Sequence, residues 1–128
     1  MEYGITVRTD APFDRTVAQV RDALARQGFG VLTEIDVRAT LRAKLGADME
    51  DYLILGACNP PLAHRALAED RQIGLLLPCN VVVRAADGQT IVEALDPITM
   101  AVITGREGLR PVAEEAAERL RAALASIT

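Results

Sequence analysis

Cys58, His64 and Cys79 are the residues whose types and spacing could do chemistry. Cys58 stands just before Asn59-Pro60-Pro61, a strong helix start, since Asn suits an N-cap and Pro the first helical position. Backbone N–H groups at a helix N-terminus stabilise a thiolate, so Cys58 reads as a candidate redox or nucleophilic thiol, with Cys79 as its resolving partner. His64 falls in the second turn of the same helix. Cys58, His64 and Cys79 are also three soft or borderline donors of the kind that hold zinc, copper(I) or haem iron. Their spacing is no metal signature, because neither C-x-x-C nor H-x-x-x-H occurs. A plainer reading stands beside these: two small apolar core residues and a surface histidine. Cysteine's habit of burial favours it.

Asn59 is explained fully as an N-cap. The alternative is an anion site at the helix start, for phosphate or carboxylate. Asn80 follows Cys79 where a strand opens and would satisfy backbone groups there. Glu93 shares a strand face with Ile91 and Leu95, and apolar neighbours would raise a carboxylate's pKa and suit it to acid–base work. Its plainer role is an edge-strand acid paired with an Arg, with Asp96 as a turn residue before Pro97. Glu34 and Asp36 together suggest a cation site, but Asp36 is a natural cap for the helix that follows. Met49 and Met100 are too far apart to form a motif. The glycine pairs 28/30 and 105/108 fit neither a P-loop nor a dinucleotide loop. Ser126 is the only serine, so no serine nucleophile elbow exists.

The elements that must position these residues follow from periodicity. Residues 2–8 alternate apolar and polar as a half-buried strand. Phe13, Val17, Val20 and Leu24 recur at helical spacing after Pro12, and Gly28 closes that helix in a left-handed cap. Phe29–Ile35 is a second strand. Val37, Leu41 and Leu45 make a short helix ending at Gly46. Tyr52–Ala57 is a third strand, and the Asn59-Pro60 helix runs to about Glu69. Asp70 caps a short turn through Ile73 that Gly74 breaks. Cys79–Ala85 and Thr90–Leu95 are joined by an Asp87-Gly88 hairpin signal. Residues 98–103 suggest a short helix. Pro111 opens a last helix with the stripe Val112, Ala116, Leu120, Leu124 and Ile127. The order is β-α-β-α-β-α-β-β-α: an α+β fold with a partly antiparallel sheet, one face covered by two long amphipathic helices. The other face carries apolar groups of its own, and a two-fold dimer is the commonest way to cover such a surface.

At 128 residues the chain suits one domain, residues 1–128. Half of it is apolar, which excludes disorder, and the net charge of −4 argues against nucleic acid or an anionic membrane as partner. Two cysteines in a chain with a full core make no disulfide framework. The beginning of the chain shows no apolar signal region, and no apolar run approaches the roughly 20 residues that span a bilayer. A reducing cytoplasm with free thiols is the expected setting.

The blocks Leu55-Gly56-Ala57-Cys58-Asn59-Pro60 and Leu76-Leu77-Pro78-Cys79-Asn80-Val81-Val82-Val83, with His64 between them, resemble the prokaryotic domain-of-unknown-function 302 family. Phe29-Gly30-Val31, Glu34-Ile35-Asp36-Val37 and Glu93-Ala94-Leu95-Asp96-Pro97 extend the resemblance over essentially the whole chain. It implies a single α+β domain similar to the TATA-binding-protein-like fold class, cytoplasmic and homodimeric. It carries no activity and no DNA binding, since fold class does not transfer function. The expectation is a binding module for a small ligand or metal near the start of the third helix, with Cys58, Asn59, His64, Cys79 and Glu93 as its residues. No cofactor is specified. The alternatives are a thiol sensor or enzyme using Cys58, and a non-catalytic dimeric interaction module.

Overall fold

The computed structural model describes residues 2–127. Alternation of apolar and polar side chains builds five strands: β1 (Gly4–Thr9), β2 (Gly30–Asp36), β3 (Tyr52–Cys58), β4 (Cys79–Ala86) and β5 (Gln89–Leu95). They form one sheet in the order β1-β5-β4-β3-β2. Every pairing is antiparallel, a stronger result than the partly antiparallel sheet expected from the hairpin alone. Asp87 and Gly88 both take positive φ, at 51° and 79°, as a two-residue hairpin with the strand twist requires.

Facing residues in an antiparallel pair share a side of the sheet. Leu53 faces Val83, Val83 faces Val92, and Val92 faces Val7. This row and the row of Leu55, Val81, Ala94 and Ile5 form the covered side. The helices α1 (Phe13–Arg26) and α5 (Arg110–Ala125) close over it. Their stripes bury Val20, Ala23 and Leu24 from α1 and Ala116, Ala117, Leu120, Ala123 and Leu124 from α5. Each such leucine removed from water contributes about 1.5–3 kcal/mol. The alanines let the helices approach the sheet and one another closely.

Three further helices complete the chain: α2 (Val37–Leu45), α3 (Pro60–Glu69) and α4 (Ile98–Thr104). Asp36 caps α2 by accepting from the Ala39 N–H at 2.9 Å, and Gly46 ends it in the left-handed region at φ 65°. Asp36 is therefore a cap, and Glu34 pairs with Arg21 rather than with it. Asp70 opens a 3-10 helix over Arg71–Leu76. That segment passes through Gly74 instead of ending there, because the tighter 3-10 turn tolerates glycine and buried Ile73 anchors it. Ile73, Leu62 and Ala66 join Met100, Leu109, Val112 and Ala113 in a second apolar cluster. That cluster lies at the end of the sheet where β3 gives way to α3. Among the described residues no helix is long and apolar enough to cross a membrane.

Candidate functional site

The junction between β3 and α3 holds the residues that chemistry pointed to. Cys58 is the last residue of β3, Asn59 the cap, and Pro60 the first residue of α3. On the neighbouring strand Cys79 opens β4, and the register sets it opposite Ala57. An apolar cavity of about 30 Å³ lies here, lined by Cys58, Cys79, Asn59, Phe29, Leu62 and Met100 among others. Both thiols are free. Cys79 is 6% exposed, and Cys58 is half-buried. Burial pushes the Cys79 thiol up from its ordinary 9.0 to about 11, and the neighbouring Cys58 adds to the effect.

The long helices leave no cleft over the centre of the sheet. Leu24, Leu55, Val81, Val83 and Leu120 fill that space and are fully buried. The opening lies instead at the sheet's end, beneath α3 and beside α4 and α5.

The structure does not assemble the metal set of Cys58, His64 and Cys79. His64 is exposed on α3, whose buried face is that of Leu62 and Ala66, and it does not line the cavity. Among the described residues no three of His, Cys, Asp and Glu stand together as metal ligands.

Asn59 is 7% exposed and works at both ends of its amide. Its Oδ1 accepts from the Leu62 N–H at 3.3 Å, and its Nδ2 donates to the Gln27 carbonyl at 3.4 Å. Arg119 of α5 donates to that same carbonyl at 3.2 Å. The anion-site reading of the helix start fails on its donors. Pro60 and Pro61 have no N–H, and the Leu62 N–H is taken by Asn59. The same absence removes the amides expected to steady a Cys58 thiolate.

Glu93 does not line this cavity; it lies on the open side of the sheet. It accepts from Arg84 Nε at 2.8 Å and from Thr6 Oγ1 at 3.3 Å. It is thus an Arg-paired acid, but β5 lies between β1 and β4 and is no edge strand. Asn80 is exposed on the same side. Asp96 accepts from the Ile98 N–H and from Arg121, stapling the turn after β5 to α5.

Sequence reasoning set Met100 aside for want of a motif and gave no site role to Phe29, Pro78 or Arg119; the fold brings Phe29, Met100 and Arg119 in from separate segments.

Sheet, helices and junction together define a small α+β domain with one compact, sulfur-bearing cavity. The chain belongs to the family described as Domain of unknown function DUF302, which matches residues 5–127. It is similar to a solved structure, the uncharacterized conserved protein DUF302 from Bacillus stearothermophilus. The two share 29% identity and a TM-score of 0.94, with 100% of each chain covered. None of the curated proteins matches the chain.

Proposed function

We propose that this protein is a binding module whose site is the cavity at the β3–α3 junction. The observation behind this reading is that cavity: it is apolar, it is lined by both free cysteines, and it lies at the edge of the buried core. At about 30 Å³ it suits a guest of one to a few atoms rather than a drug-sized ligand, whose pockets run to roughly 300 Å³ or more. Native mass spectrometry of protein purified without oxygen or chelator tests the reading. A stoichiometric added mass should be present in the native chain and absent when Ala63→Leu fills the cavity wall. A bare chain in both preparations, across guests offered at excess, overturns it.

A second reading, an interaction module that pairs with a second copy, is favoured by a separate observation. From Gly30 to Glu50 not one residue is buried, and Leu32, Ile35 and Leu45 are 67%, 48% and 75% exposed. The chain exposes 7206 Å², against about 6,600 Å² for a compact monomer of this mass. Light scattering at micromolar concentration should give twice the chain mass, falling to one chain in Ile35→Lys. A monomer throughout removes this reading.

A further inference from the structure

Three sulfur-bearing residues line the same small cavity: Cys58, Cys79 and Met100. They come from three elements, the end of β3, the start of β4 and α4. Cys79 and Met100 are 6% and 3% exposed, while Cys58 is half-buried. Neither thiol is in a disulfide. A core built only for packing has no need to gather both cysteines and a methionine on the one cavity at the end of the sheet.

We propose that Cys58, Cys79 and Met100 form a binding site for a single soft monovalent cation of the copper(I) class. The proposal rests on the binding-module reading and names its ligand. Three properties of the site select the ion. The first is donor type: thiolate and thioether sulfur prefer copper(I), whereas calcium, magnesium and manganese prefer oxygen. The second is donor number. Zinc sites take four ligands, or three and a water, from Cys, His and carboxylates, and no three such groups stand together among the described residues. The third is size and polarity. A cavity of about 30 Å³ with Leu62, Val112 and Ala116 in its wall admits a bare ion and offers nothing to the water shell of a hard cation.

The balance of charge is simple. Binding one cation through both sulfurs releases two protons, one from each thiol, and leaves one net negative charge. No electron is transferred. The Arg119 guanidinium, which also pairs with Glu115 at 3.4 Å, meets Asn59, the residue next to Cys58, on the Gln27 carbonyl. The strand register sets Cys79 opposite Ala57, the residue that precedes Cys58, so both cysteines stand at the same end of the sheet.

Anaerobic titration of the reduced chain with copper(I), against a chromogenic copper(I) chelator, tests the proposal. One copper per chain is expected in the native protein. Cys58→Ala and Cys79→Ala should each lose it, and Met100→Leu should yield its copper at lower chelator concentration. Because Cys79 is buried, circular dichroism must show each variant folded, and half-buried Cys58→Ala carries the test if Cys79→Ala does not fold. X-ray absorption of the loaded native chain should show sulfur alone around the metal. Copper retained by Cys58→Ala, or zinc taken up with equal affinity by the same cysteines, overturns the proposal. If copper fails while an added mass is still displaced by Ala63→Leu, the copper assignment is wrong and the binding module stands. If both fail, both are wrong.

Discussion

Asn59 and Arg119 meet on one atom. The cap of α3 and a residue of α5 both donate to the carbonyl oxygen of Gln27, at 3.4 and 3.2 Å, and so tie the end of α1 to two other helices. Gly28 follows directly at φ 85°, and a Cβ there would stand 3.0 Å from Asn59 Nδ2. Gly46 shares the left-handed geometry but faces open space. Gly46→Ala should therefore cost only the backbone strain, about 1–2 kcal/mol, and Gly28→Ala should cost clearly more. Urea unfolding of the two variants checks this. Equal losses would mean that the Asn59 contact carries no weight.

Asn59→Ala removes the cap and one of the two donors on Gln27. A cap alone is worth about 1 kcal/mol, and the buried setting should bring the loss toward the upper end of that range, near 2 kcal/mol. Denaturant midpoints read it. A loss of a few tenths would show that Arg119 alone holds the junction.

The thiols should separate chemically. Cys79 is buried with its pKa pushed up to about 11, so an alkylating reagent near neutral pH should label Cys58 first. Peptide mapping after timed labelling reads the order. Faster labelling of Cys79 would contradict its burial.

The same shift has a consequence for stability. Unfolded, the Cys79 thiol ionises near 9.0; folded, near 11. The folded state therefore holds the proton more tightly. Its contribution is complete below pH 9 and is lost as pH rises through 11, to a total of about 2–3 kcal/mol. Between pH 8 and 11 the native chain should lose more stability than Cys79→Ala does, measured as the difference between the two unfolding curves. Parallel curves would remove the effect.

On the open side of the sheet, Glu93→Gln breaks a pair with Arg84 that is about one-third exposed at each end. The expected loss is below about 1 kcal/mol and shrinks with added salt. A loss of several kcal/mol would mark Glu93 as more than a surface partner.

Local signals in the chain were read correctly where one residue type has one conformational use. Asn59-Pro60, Asp36, Gly46 and the Asp87-Gly88 turn all behave as their chemistry demands. The family resemblance likewise holds, over residues 5–127. What the chain hid depends on tertiary placement. The interior position of β5 is set by β1 returning to it from the far end of the sequence. The direction of His64 is set by which face of α3 meets α5. Met100 reaches the cavity only because α4 folds back beside α5. Pro60 followed by Pro61 leaves the helix start with few free N–H groups to offer an anion.

β1 hydrogen-bonds only to β5, with Gly4 opposite Leu95. On the ribosome, the first strand to emerge has no partner until some ninety residues more have been made. Meanwhile β2 to β5 can pair in sequence, each with a neighbour already synthesised. The nascent sheet therefore grows from the far edge toward the N-terminus, and its last strand in place is its first in translation. Long-range closure of this kind is slow relative to hairpin formation. Until it happens, the edge of β5 is open to any extended segment nearby, including the β1 of another nascent copy.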